Sequence, residues 1–451
     1  MMDRRISENE IQYLMDHLAM FYSGASLGQY LVTEKSSQPS LFFPLSEMPI
    51  DENRVEIIHD IPVLFPCSEE KEWYSLAGNQ VRFHHDILKS AFYLLSGYQE
   101  YVNVEMDLHG RYPWKSSIQH RLGFTQKPVV NYYFDLILEA FEKFCETNGL
   151  EFERKLGEAP LLFLSHDVDR IRKYSIRNLA YVVLQLLGIK PSTHGFARQL
   201  KAVMDYAKGT LLFRKDPYWN FKELMSLEKE LHISSSWFLL EKTKKDNSRY
   251  HFTEERIRAL ISSLSGQGHE IGIHGTLESS ENTRAMTGGI ERLNSVCENP
   301  VTGNRQHYLK YNHPTTTKLL ADSELVYDAS LGFAESIGFR NSFAHPFRLY
   351  DFDSQQPMDL WHLPLTVMDV TLLGYMMVPV GSIPETIRPV LKEVKRFNGV
   401  FSLLWHNCNL DEEEYPGINW IYQAVLKELM DSGFSSMTGD QVIKSVRSSG
   451  V

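Results

Sequence analysis

From Leu161 onward, short apolar runs alternate with stretches of helical spacing. The runs are Leu161–Ser165, Ser236–Leu240, Ile271–Gly275, Val301–Tyr308, Leu325–Ser330, Leu363–Asp369 and Phe401–Asn407. Helices are predicted between them, at Thr253–Leu264 and at Pro384–Phe397, the second stopped by Asn398-Gly399. Strands that alternate with helices imply a parallel sheet covered by helices, hence an α/β fold. Seven runs in roughly 290 residues suit a (β/α) barrel better than an open two-sided sheet, although periodicity alone does not separate the two.

The N-terminal part reads differently. Residues 8–22 place Ile11, Leu14, Met15, Leu18 and Phe21 on one helical face. Asp86 is placed to cap a helix running to Tyr101, and a third helix covers Asn131–Thr147 before Asn148-Gly149. Short β-branched and aromatic runs lie between them. This predicts a smaller mixed α/β domain over 1–155, a charged linker at Glu151–Pro160, and the barrel over 156–451. Tyr174–Pro217 interrupts the barrel alternation with helical apolar spacing, and is predicted to be a helical insertion beside the pocket or plain packing elaboration.

Composition narrows the classes. A chain of 451 residues with 43% hydrophobic and 23% charged residues is an ordinary globular protein of more than one core. A formal net charge of -11 argues against non-specific binding to nucleic acid or to anionic membrane. No apolar stretch approaches the ~18 residues of a membrane span, so no membrane insertion is expected. Glu8, Glu10 and Asp16 interrupt the place where a secretion signal needs an apolar run. Cys67, Cys145, Cys297 and Cys408 are far apart, with no C-x-x-C, and read as thiols. Together these features lead us to expect a cytoplasmic location. No phosphate-binding glycine loop and no G-x-S-x-G turn is present, which excludes the commonest nucleotide and serine-hydrolase chemistries.

Polar residues gather where the predicted strands end. In a parallel barrel those ends share one face, and that face carries the chemistry. The first run ends in Ser165-His166-Asp167-Val168-Asp169, the third at His274, the fourth at Arg305 and His307, the fifth at Asp328, the sixth at Asp369, and the last at His406-Asn407. Asp167 and Asp169 are two apart, so in a strand they face one side, and a cation would relieve their repulsion. His274 and Glu278 have the spacing of one helical face, and imidazole with carboxylates suits a divalent metal. Taken singly, each of these residues reads equally well as a core histidine, a cap or a surface carboxylate.

In order and strand context, Ser165-His166-Asp167-Val168-Asp169, Gly268-His269-Glu270-Ile271-Gly272-Ile273-His274, Arg305 and Leu403-Leu404-Trp405-His406 resemble the motifs of the polysaccharide deacetylases. The likeness covers about 160–437. It implies a distorted seven-stranded (β/α) barrel preceded by the smaller domain, whose Asp86–Tyr101 and His109–Tyr112 segments look like an uncharacterised domain attached to such proteins. It also implies roles: Asp167 as catalytic base, Asp169 and His274 as metal ligands, Arg305 holding the base, His406 as catalytic acid, and Asp369 orienting that histidine. The family's second metal histidine falls on Glu278, making Glu278 the expected third ligand and moving metal preference from Zn toward Mn, Fe or Co. The implied reaction is hydrolysis of an acyl group, chiefly acetyl, from an N-acylated sugar or other small acylated substrate. Two rivals stay open: a degenerate non-catalytic member that binds glycan or protein, and a hydrolase of a small non-sugar amide.

Overall fold

The computed structural model describes residues 3–448 apart from 35, 104, 156, 158, 192–194 and 213. Its centre is a curled, mostly parallel sheet. Starting from one edge, the strands are Phe347–Asp351, Gln356–His362, Tyr327–Asp328, Gly303–Gln306, Glu270–Gly275, Ser235–Leu239, Leu161–Val168, Val400–Leu404 and Val367–Met368. A tenth, Ser435–Ser436, pairs with Leu161–Val168. Each of the seven runs contributes a strand. The expected count of seven is exceeded by an antiparallel strand, Phe347–Asp351, by Gln356–His362 and by Ser435–Ser436. Among the described residues the sheet does not close, and it forms a half-barrel with Phe347–Asp351 and Val367–Met368 at its ends. The extra strands were illegible because Gln356–Leu360 is polar at its start and Ser435–Ser436 is too short to carry a period.

Parallel strands covered on both sides are mostly apolar, and every residue of Ser235–Leu239 and Val400–Leu404 is buried. Register then decides which polar ends meet. Asp167 lies opposite Phe238, His274 opposite Arg305, Asn304 opposite Asp328, and Leu404 opposite Ser165. Gly272 is required by a close approach: a Cβ there would stand 2.5 Å from the Phe238 ring. That ring is the surface on which the Arg305 guanidinium rests, 5.0 Å from its centre.

The helix predicted at 8–22 spans Glu8–Leu18, started by a reciprocal cap between Ser7 and Glu10. The one predicted over Asp86–Tyr101 is two helices, Ile87–Leu95 and Tyr98–Val102. Gly97 separates them at φ +80°, with Leu349 and His313 pressed against the place of its missing Cβ. Val129–Asn148 is the third helix, ended by Gly149 in the left-handed region. The segment expected as a linker begins with a strand, Phe152–Arg154, antiparallel to Tyr22–Gly24. Leu156 and Glu158 of that segment lie outside the described residues.

The N-terminal part is joined to the half-barrel by apolar and polar contacts alike. One continuous core cluster contains Leu14, Phe92 and Phe141 together with Leu164, Phe343 and Leu349. Buried Arg340 makes paired bonds of 2.7 and 2.6 Å to Glu100. Gln119 donates to the carbonyl of Arg340, and Ala344 donates to Asn131. The predicted insertion is a hairpin of two helices, Ile176–Leu186 and Phe196–Leu211. No helix of the described residues is long and apolar enough to cross a membrane.

Candidate metal centre and catalytic site

Asp169, His274 and His307 offer one ligand atom each within 4.8 Å of one another, and all three are buried. Asp169 follows the strand Leu161–Val168, His274 ends Glu270–Gly275, and His307 follows Gly303–Gln306, so three strand ends supply the group. His274 Nε2 lies 3.2 Å from Asp169 Oδ1 and 3.6 Å from Asp167 Oδ2. His307 Nε2 lies 3.6 Å from Asp169 Oδ2. Each imidazole has its other nitrogen occupied: His274 Nδ1 meets the Arg305 carbonyl at 2.7 Å, and His307 Nδ1 meets Asp246 Oδ1 at 2.6 Å. Both Nε2 atoms are thereby turned toward the same gap, an arrangement that second-layer partners give metal-binding histidines.

The expected third ligand was Glu278. The structure corrects this: Glu278 is exposed, its carboxylate accepts from Asn282 at 3.3 Å, and it takes no part in the cluster. Thr276 to Ser279 form a turn rather than the helix that the His-x-x-x-Glu spacing assumed. His307 stands in its place. It was visible as a strand-end histidine but had no partner at sequence spacing that marked it as a ligand. Asp246, its carboxylate partner, lies in a loop far from every motif.

Two consecutive non-glycine residues after His307, Tyr308 and Leu309, adopt φ of 60° and 55°. Such backbone costs about 1–2 kcal/mol per residue and is found where surroundings hold it for a purpose. Here the N-terminal part holds it. Arg111 donates to the Tyr308 carbonyl at 3.3 Å, and the His109 ring stacks on Tyr308 with centres 4.9 Å apart. Arg111 also donates to the hydroxyl of Tyr375 at 3.0 Å. Tyr308 and Tyr375 remain 39% exposed at the mouth, while Tyr311, Trp361 and Trp405 are core.

His406 sits on the other flank, its Nε2 3.9 Å from Asp169 Oδ2. Asp369 holds it twice, accepting from Nδ1 at 2.7 Å and from the backbone N–H at 2.8 Å. Val370 N–H and Asn409 Nδ2 fill the rest of that carboxylate, at 2.7 and 2.9 Å. The chain then enters a π-helical turn, Thr371–Tyr375, a form that recurs at functional sites. Burial works against a charge on His406, but Asp369, then Asp169 and Asp167, outweigh it and raise the imidazole to about 10. Burial likewise opposes a charge on His307, and Asp169 with Asp246 raises it to about 9. Asp169 is held below the usual carboxylate range: burial would raise it, but the two histidines prevail.

Arg305 is fully buried, and burial lowers its basicity, opposed by Asp167 and Asp328. Its direct partner is Ser165 Oγ at 3.0 Å, and no hydrogen bond joins it to Asp167 among the described residues. Arg305 therefore does not make the contact with Asp167 that was expected of it. Asp167 Oδ1 is buried without a hydrogen-bond partner, and Asp169 Oδ1 has only His274 Nε2, at 3.2 Å. Lone carboxylate oxygens in such a place are costly unless a cation meets them, and two imidazoles with a carboxylate form a donor set suited to a divalent ion.

Residues 2–146 match a family described as one of unknown function, DUF7033. No curated protein matches the chain. Among solved structures, a Mycobacterium smegmatis protein assigned as a polysaccharide deacetylase is 20% identical, with a TM-score of 0.42 over 65% of this chain and 96% of that one. Puue allantoinase is 13% identical, with a TM-score of 0.44 over 65% and 92%. Peptidoglycan deacetylase PdaC from Bacillus subtilis is 11% identical, with a TM-score of 0.31 over 64% and 93%.

Proposed function

We propose that the chain is a metal-dependent hydrolase that removes an acyl group, chiefly acetyl, from the nitrogen of an acylated sugar. The observation that carries this reading is the grouping of Asp169, His274 and His307 with Asp167 and His406 on either side. A divalent ion held by those three ligands would acidify a water and polarise the acyl carbonyl. Two imidazoles and one carboxylate favour zinc, a softer set than the one expected with Glu278.

The chain's own groups supply the rest. Asp167, with one oxygen free of protein partners, takes the proton of the attacking water. Asp369 occupies His406 Nδ1, so Nε2 is the nitrogen left to donate. That proton goes to the leaving nitrogen as the carbon–nitrogen bond breaks, giving a carboxylate and an amine. Base and acid thus begin in opposite protonation states, as the reaction requires. Tyr308 and Tyr375, at the mouth, offer ring faces to a sugar.

The alternative is a degenerate scaffold that binds glycan or protein without turnover; His307 beside Asp169 favours the catalytic reading over it. The test is acetate release by zinc-loaded protein from oligomers of N-acetylglucosamine, against allantoin and linear amides. Release from the sugar, lost by about 10²- to 10⁴-fold in Asp167→Asn, supports the proposal. Turnover of the amides alone would replace it.

A further inference from the structure

The helical hairpin of residues 176–212 is the part of the fold that the core does not use. Among its described residues only Gly209 is buried, and Ile176–Leu186 has no buried residue at all. Its side chains are nonetheless strongly apolar. Of the 19 large hydrophobic side chains that the described fold exposes, nine fall within these residues. Phe196, Leu200, Met204 and Leu211 are 69%, 41%, 46% and 68% exposed. At 3.6 residues per turn they lie within an arc of about 80° and make one continuous stripe. Leu187 and Ile189, each 65% exposed, lie in the connection between the helices.

Charge says what covers the stripe. The chain as a whole carries -11, yet residues 176–212 hold five Lys or Arg against the single acid Asp205, which pairs with Lys201 at 3.1 Å. Lys190, Lys201 and Lys208 are all exposed. A second copy of this chain would set one cationic hairpin against another, and a typical protein patch would not need so long an apolar row with a cationic border. An anionic bilayer meets both features, with headgroups for the lysines and the acyl boundary for Phe and Leu. Helices of 11 and 16 residues are too short to span, for which about 20 are needed, but suit lying in the interface.

The hairpin is also fixed in place. It leaves the fold just after Asp169 and returns at Asp216, whose carboxylate accepts from the backbone N–H of Lys173 and Tyr174 at 2.9 Å. The Tyr174 ring lies under Gly209, where a Cβ would come within 2.3 Å of it. A surface under the hairpin therefore lies beside the rim that carries Asp169.

We propose that this hairpin docks the protein on anionic membrane surfaces, with Phe196, Leu200, Met204 and Leu211 entering the acyl boundary and the lysines meeting the headgroups. This is the local reverse of what the net charge suggests, and it stands apart from whether the site turns over a sugar. The test is vesicle flotation of the full chain with phosphatidylcholine alone and with equal parts phosphatidylcholine and phosphatidylglycerol. Binding is expected only to the second, weaker in high salt. Phe196→Glu/Leu200→Glu/Leu211→Glu and, separately, Lys201→Glu/Lys208→Glu are each expected to weaken it about tenfold or more. Trp420→Glu, at an exposed residue outside the hairpin, is the control and leaves binding unchanged. Circular dichroism and melting temperature establish that every variant is folded. The proposal is overturned if the protein ignores anionic vesicles, binds neutral ones equally, or keeps its binding in the triple variant. It is also overturned if the wild-type chain is a dimer in solution that the triple variant makes monomeric while neither binds vesicles.

Discussion

His307 and Asp246 meet at 2.6 Å, and that contact turns the opposite edge of the imidazole toward Asp169. His307 rather than Glu278 thereby joins Asp169 and His274 in the buried group that could hold a metal ion. His307→Ala should lose divalent-metal binding, while Glu278→Ala should keep it, as read by calorimetric titration with zinc. Asp246→Asn keeps the shape but weakens the acceptor, and should cost about 10- to 100-fold in metal affinity.

The pH dependence of that binding follows from the same residues. Without a cation, His307 titrates near 9, so at neutral pH it carries a proton that a metal must displace. Zinc affinity should rise close to tenfold per pH unit between about 7 and 9, then level off. The metal-free protein should do the opposite in stability. A histidine raised from 6.5 to about 9 in the fold stabilises fully below 6.5, and that stabilisation is lost as pH climbs through 9. The melting temperature of the metal-free protein should therefore fall across this window more steeply than that of the zinc-loaded protein. Equal slopes would count against His307 as a ligand.

Asp369 has four donors around its two oxygens, two of them from His406. Asp369→Ala should remove the largest influence that keeps His406 charged. The alkaline limb of the rate profile should then move to lower pH, and kcat should fall by about 10²- to 10⁴-fold. Metal content should stay the same, which separates this loss from that of a ligand variant.

A structural prediction concerns the seam with the N-terminal part. Glu100 and Arg340 form a buried, doubly bonded pair. Glu100→Ala leaves a guanidinium buried without its carboxylate, and should cost about 3–5 kcal/mol in urea unfolding. Glu100→Leu together with Arg340→Met should recover most of that loss, since an apolar pair leaves no stranded charge.

The sequence made the sheet legible because a parallel strand buried on both faces reads as a nearly continuous apolar run, as Leu161–Leu164 does and as Phe401–Leu404 does apart from Ser402. It made the rim legible because polar residues ended those same runs. What it hid had no local period. The strand Gln356–His362 starts polar, Gly97 breaks a helix whose apolar pattern continues through it, and Asp246 reaches His307 from 61 residues away. Glu278 misled because His-x-x-x-Glu spacing is meaningful only on a helix, and the chain turns there instead. The hairpin of 176–212 was legible as helix, but its exposure was not, because an amphipathic pattern does not say what the apolar side faces.

The central claim is that Asp169, His274 and His307 hold one divalent ion between them. Elemental analysis after equilibration with zinc and removal of the free metal tests it most directly, on the wild-type chain beside Asp169→Ala, His274→Ala, His307→Ala and Glu278→Ala. One zinc per chain in the wild type and in Glu278→Ala, with near-zero content in the other three, is the expected result. A wild-type chain that retains no metal, or a His307→Ala variant as fully loaded as the wild type, would contradict it.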